Sequence, residues 1–144
     1  MIELSVAREV TDELMAAFRR LLPQLSTSAA PLEREALAVA VGSPSNTLLV
    51  AREAGEIVGA LTLVFYPLPT GLRARIEDMV VDSRSRGRGV GEALTREALR
   101  LAAERRVRSV DLTSNPARVA ANQLYQRIGF ELRETNAYRY RITG

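Results

Sequence analysis
The 144-residue sequence contains no cysteine and no histidine. The missing cysteines rule out disulfides, thiolate nucleophiles and sulfur-held metals, and they suit a reducing compartment, so a cytoplasmic location is expected. With histidine missing too, the usual zinc sites and Ser-His triads are excluded, and no metal is expected. No apolar run approaches the roughly eighteen residues of a membrane span. The opening Met1-Ile2-Glu3-Leu4-Ser5-Val6 reads as a first strand, without the basic-then-apolar order of a secretion signal. Internal repeats, linkers and low-complexity tracts are also lacking.

What is present fits an ordinary folded chain. Hydrophobic residues make up 47% and charged residues 26%, common values for a globular protein. The length predicts one domain over residues 1–144, burying roughly 70% of its unfolded surface. The net charge is +3, and its basic side is carried by arginine, concentrated between Arg84 and Arg108. A basic domain can indicate nucleic acid. Here the arginines gather around one glycine-rich turn and along helix faces, with no basic tail or aromatic platform. The expected partner is an anionic small molecule, with no nucleic acid and no membrane.

That turn is Arg86-Gly87-Arg88-Gly89-Val90-Gly91. It follows an apolar run that includes Ile76, Met79, Val80 and Val81, and it opens a helical segment near Glu92. Strand, glycine turn and helix start in that order make a site for a phosphorylated ligand. Glycine lets backbone N–H groups approach an anion, the helix N-terminus adds free donors and about half a positive charge, and the arginines add mobile charge. A P-loop is excluded because no lysine and hydroxyl follow the glycines. The dinucleotide pattern Gly-x-Gly-x-x-Gly fits Gly87 and Gly89 but meets Glu92 at its third glycine, where close helix–strand packing is needed. Asp111 could stand for the ribose-binding acid of that fold, yet no second mononucleotide unit has room after the turn.

Periodicity places the other elements. Thr11 is an N-cap candidate with Asp12 and Glu13 in the first turn, and Leu14, Phe18, Leu21 and Leu22 recur at helical spacing up to Pro23. Residues 24–30 read as loop. Pro31 starts a second helix with Leu32, Ala36, Leu37 and Val41 on one face, ending at Gly42. Strands are expected at 47–52 and 57–65, joined by a hairpin at Ala54-Gly55. A proline-punctuated loop at 66–71 and a longer strand at 73–81 follow. The helix after the turn carries Val90, Leu94, Ala98, Leu101 and Ala102, and a strand is expected at 107–112. A helix from Arg118 carries Ala121, Leu124, Tyr125 and Ile128 and stops at Gly129. Strands at 130–134 and 138–142 close the chain. The class is mixed α/β, in the order β-α-α-β-β-β-α-β-α-β-β.

In these residues the chain resembles the GNAT (GCN5-related N-acetyltransferase) superfamily. Arg86, Gly89 and Gly91 match its core motif Arg/Gln-x-x-Gly-x-Gly/Ala. Downstream, Ala121-x-x-Leu124-Tyr125-x-x-x-Gly129-Phe130 matches a second element, in the family's order and joined by a helix and a strand. The resemblance covers residues 48–140. It implies a fold whose strand before the turn splays from the strand after the helix, with acetyl-coenzyme A as cosubstrate in the gap. The pyrophosphate would sit on the N–H groups of Arg86, Gly87, Arg88, Gly89, Val90 and Gly91. Pantetheine would pair like an extra strand with the main chain of Met79, Val80 and Val81. Asn115 and Asn122 would be secondary polar contacts. Where the family pattern has an asparagine three residues before Ala121, this sequence has Arg118, which could reach phosphate or cover the helix surface.

The activity so implied is transfer of an acetyl group to a primary amine by direct attack in a ternary complex. Such aminolysis needs a neutral amine, a stabilised oxyanion and a proton for the departing thiolate. Tyr125 matches the family tyrosine that protonates the sulfur, a donor role open to a phenol at neutral pH. Glu77, just before the pantetheine-pairing residues, is the base candidate, acting through water. Its neighbour Asp78 should face the opposite way unless a bulge reverses the alternation. A main-chain N–H near Val80 would meet the oxyanion. Each residue also has a plainer role open to it: sheet core for Met79, Val80 and Val81, packing for Tyr125, and for Glu77 a salt-bridged or solvent-facing position. The acceptor is a small-molecule or protein/peptide amine, bordered by residues 22–30, 66–71 and 136–140, and a homodimer is open. The rival reading keeps the fold as a non-catalytic coenzyme-A-binding regulatory module.

Overall fold
Two apolar helix faces and a run of strands buried on both sides organise the chain, whose computed structural model describes residues 1–27 and 30–143. The elements are β1 (Ile2–Ala7), α1 (Asp12–Leu25), α2 (Arg34–Gly42), β2 (Asn46–Glu53), β3 (Glu56–Leu68) and β4 (Gly71–Val81). A short 3-10 turn (Ser83–Ser85), α3 (Val90–Glu104), β5 (Val110–Asp111) and α4 (Val119–Ile128) follow. The sheet order is β1-β2-β3-β4-β5, with antiparallel neighbours up to β4 and β5 parallel to β4. Met1–Thr113 and Ser114–Gly144 form two compact units.

In the first unit, Leu48 to Ala51 of β2 are all buried, a continuous run that a sheet covered on both faces requires. Leu14, Met15, Phe18 and Leu21 of α1 and Leu37 of α2 pack with Leu48, Val50, Ile57, Ala60 and Val80. The α3 stripe of Val90, Leu94, Ala98 and Ala102 is buried as well, and α3 contacts β1 to β4. Gly59 makes that approach possible. A Cβ there would stand 3.0 Å from Val90 Cγ1, 3.1 Å from the Val80 carbonyl oxygen and 3.2 Å from Leu94 Cδ1. The start of α3 is thereby pressed against β3 beside the end of β4.

Thr11 caps α1 as expected, its hydroxyl accepting from the Leu14 N–H at 3.1 Å. The helix nevertheless runs through Pro23 to Leu25, because proline removes one donor near a helix end that closes two residues later. α2 begins at Arg34 behind Glu33 rather than at Pro31. The expected loop at 66–71 is mostly strand: Tyr66, Pro67 and Leu68 pair with Arg73, Leu72 and Gly71. Beyond Val64, β3 has lost its pairing with β2, so a residue without an N–H interrupts no second ladder there.

The splay expected between the strands flanking the turn is present. β5 meets β4 only at Ala74↔Val110 and Arg75↔Asp111, while β4 continues to Val81. The last two expected strands, 130–134 and 138–142, are not formed among the described residues. A strand exists only against a partner edge, and among the described residues Leu132, Tyr138, Tyr140 and Ile142 are all exposed.

Candidate active site
β4 reaches the turn through a bulge. Thr62 faces Glu77 and Ala60 faces Val80, so Asp78 and Met79 together oppose Leu61. Asp78 takes the left-handed φ of 51° that the irregularity demands. Met79 and Val80 are buried and Val81 half-buried; Met79 Sδ accepts from the buried Thr95 hydroxyl at 3.4 Å. From Ile76 onward this strand has no β5 partner, which leaves the open edge that an extended ligand arm could join.

The strand ends in a buried anchor. Asp82 is 2% exposed, and its N–H donates to the Val58 carbonyl at 2.8 Å. Its Oδ1 accepts from the Arg84 N–H at 3.1 Å, and its Oδ2 accepts from Arg20 Nε at 3.2 Å and Arg84 Nη2 at 3.3 Å. Burial alone would raise the carboxyl; the Arg84 N–H and the two guanidinium groups overcome it and hold Asp82 down at about 2. Arg20 also donates to the Ile57 carbonyl at 2.6 Å, and Gln24 Oε1 accepts from the Ser83 N–H at 2.8 Å. The end of α1 is thus stitched to the start of the turn. None of Arg20, Gln24 or Asp82 stood out in the sequence. The local signal for Asp82 was an aspartate directly after a strand and two residues before a capped N–H.

The glycines then do what the turn chemistry requires. Gly87 and Gly89 have φ of 81° and 83°, in the region where a side chain is strained. A Cβ at either would meet nothing within 4 Å, so the need is conformational. Gly89 caps α3, and the first N–H groups of α3 have no partner within the helix. The exposed turn arginines are spread over different acceptors: Arg84 on Asp82, Arg86 Nε on the Val81 carbonyl at 3.4 Å, and Arg88 Nη1 on Glu53 at 2.9 Å. Farther along α3, Arg96 and Arg100 pair with Glu92, Glu97 and Glu104, and Arg105 lies 4.2 Å from the Phe65 ring centroid.

The first unit therefore brings together Glu77, Met79, Val80, Val81 and the turn from Arg86 to Gly91. Glu77 is exposed and accepts from Arg75 Nε at 3.0 Å. Asp78 differs: partial desolvation of its carboxyl, then the Glu77 charge, raise its pKa. Tyr125 and Asn115 belong to the second unit. Tyr125 is 7% exposed, its ring edge-on to Phe130 at 5.8 Å. Burial raises its phenol pKa, partly offset by the Arg118 charge. Asn115 Oδ1 accepts from the Ala117 N–H at 2.8 Å, and its carbonyl accepts from Asn122 Nδ2 at 2.9 Å, so both asparagines shape the start of α4. Among the described residues no three carboxylates converge to hold a metal ion, and no helix is long and apolar enough to cross a membrane.

Mixed sheet, splayed strands and a glycine turn at the start of a helix are the features that the resemblance implies for the GNAT fold, and comparison with known proteins agrees. Residues 7–130 match the acetyltransferase (GNAT) family. The chain belongs to the GNAT family of acetyl-transferring enzymes. Human N-acetylaspartate synthetase is 34% identical over a 94-residue alignment that covers 60% of this chain and 28% of that protein. An acetyltransferase structure from Trypanosoma brucei superposes with a TM-score of 0.79 at 25% identity, covering 97% of this chain and 99% of the other. AAC(6')-Iy, solved with the bisubstrate analogue CoA-S-monomethyl-acetylneamine, shares the fold with a TM-score of 0.80 at 17% identity, covering 99% of each chain.

Proposed function
We propose that residues 1–144 act as one cytoplasmic N-acetyltransferase domain that moves the acetyl group of acetyl-coenzyme A to a primary amine in a ternary complex. The observation that carries this reading is the open β4 edge running directly into two left-handed glycines at the start of α3. The pyrophosphate sits on the N–H groups of Arg86 to Gly91 and pantetheine on the main chain of Met79, Val80 and Val81, with Asn115 supplying a polar contact. The amine attacks the thioester carbon, the Val80 N–H receives the oxyanion, and Tyr125 protonates the departing sulfur. Glu77 takes the amine's proton through water. Asp78 is its rival for that task, since a raised pKa suits a base better than a carboxylate already paired with arginine.

The acceptor is a small-molecule amine or a protein or peptide amine. The similarity to N-acetylaspartate synthetase, whose name holds a small acetylated amino acid, favours the small molecule. Isothermal titration should show micromolar acetyl-coenzyme A binding, followed by coenzyme thiol release when amines are screened. Gly89→Ala should weaken binding about tenfold, because a Cβ at that φ costs roughly 1 kcal/mol or more. Absence of binding by the unaltered chain would remove the acetyltransferase reading. Binding without thiol release to any amine would favour the regulatory module.

A homodimer is part of the same proposal. Tyr138, Tyr140 and Ile142 alternate with Arg139 and Arg141, and all three are exposed, the pattern of a strand with one apolar face and no neighbour. Light scattering during size exclusion should give twice the 15.8 kDa chain mass; a monomer at micromolar concentration would dismiss the dimer.

A further inference from the structure
The β2–β3 hairpin touches the glycine turn. Glu53 ends β2, Ala54 and Gly55 turn the chain with φ of 52° and 85°, and Glu56 opposes Glu53 in the register. From this tip Glu53 Oε1 accepts from Arg88 Nη1 at 2.9 Å, the carboxylate side chain 22% exposed and the guanidinium 59%. An open cavity of about 310 Å³ lies beside the pair, lined by Glu53, Glu56, Ile57, Asp82, Arg84 and Arg88. Arg84 is committed to the buried Asp82, and Arg86 rests on the Val81 carbonyl at the end of β4. Arg88, in contrast, is tied to a carboxylate thirty-five positions away, and it is mounted between two left-handed glycines.

A coenzyme phosphate and the Glu53 carboxylate are both anions suited to the same guanidinium. Taking acetyl-coenzyme A on this turn, as proposed above, we propose that Glu53 is an internal counter-anion: it holds Arg88 in the free chain and is displaced by coenzyme phosphate. Coenzyme affinity is then set by competition, and it is lower than the turn and its arginines would give without Glu53. Glu56, the second carboxylate at the tip, adds to the repulsion that an incoming phosphate meets. The pair also keeps Arg88 from lesser anions, since a ligand must supply more charge than a single carboxylate to take it.

Titration of acetyl-coenzyme A into the unaltered chain, Glu53→Gln, Arg88→Gln and the double variant tests this. Neither side chain is buried, so the variants should fold, as circular dichroism will verify. Glu53→Gln is expected to tighten binding about threefold, the scale of a half-exposed ion pair, and Arg88→Gln to weaken it. In the Arg88→Gln background the glutamate substitution should have no further effect. If Arg88→Gln weakens binding while Glu53→Gln leaves it unchanged or weaker, Glu53 positions the arginine and the competition is overturned. If neither the unaltered chain nor any variant binds, the coenzyme reading itself falls.

Discussion
Replacing Tyr125 with phenylalanine should lower the turnover of acetyl-coenzyme A with a saturating amine about a hundredfold, the scale of losing a positioned general acid. In the proposed acid role the phenol acts only on a charge that develops in the transition state, so acetyl-coenzyme A affinity should stay within about a factor of two. The ring survives the substitution, so the edge contact with Phe130 and the burial of the side chain are retained and folding should be unaffected. The pH profile supplies a second check. Burial raises the Tyr125 pKa above its ordinary value of 10, so the acid stays protonated throughout the neutral range. Activity should accordingly rise with pH as the amine deprotonates, with no falling limb from this tyrosine in the neutral range. Unchanged turnover in the phenylalanine variant would take the acid role away from Tyr125. A fall in affinity matching the fall in rate would make it a binding residue instead.

The parts of this site that were legible in the sequence are those encoded locally. The glycine turn was readable because left-handed backbone demands glycine at particular positions, and α3 was readable because its apolar stripe repeats within a few turns. Chemistry that depends on distant residues was not readable. Arg20 and Gln24 reach the turn from α1, across more than fifty positions of sequence, and the Glu53–Arg88 pair spans two separate turns. Glu77 is an intermediate case, since Arg75 lies two residues away on the same face of one strand and an ion pair could have been read from that spacing. The bulge at Asp78 follows from the count of residues on β3 against those on β4, which no single segment contains. The misplaced closing strands have the same origin. Alternating Tyr138, Tyr140 and Ile142 specify a strand face, but a strand also needs an edge to pair with, and the identity of that edge is not written in the segment.

Asp82 anchors the end of β4 to α1 and to the start of the turn. Asp82→Ala should destabilise the fold by about 3 kcal/mol, lowering the melting temperature by about 10 °C for a chain of this length. The estimate sits at the lower end for a broken buried pair, because Arg20 and Arg84 can turn toward water once the carboxylate is gone. The same group makes stability depend on pH. Its folded pKa of about 2 lies below the ordinary 3.8, so the unfolded chain takes up the proton first. Its stabilisation is therefore full above the unfolded value, and it is lost as pH falls through 3.8 toward 2. Integrated over that window it amounts to roughly 2 to 3 kcal/mol. Urea titrations between pH 6 and pH 2 should show the unaltered chain losing this increment and Asp82→Asn lacking it. Acetyl-coenzyme A binding to Asp82→Asn should also weaken about tenfold at neutral pH, since the N–H groups of the turn are aimed by this anchor and small misplacements of such donors are costly. Stability that falls without any change in affinity would show that the turn holds its shape through the glycines alone.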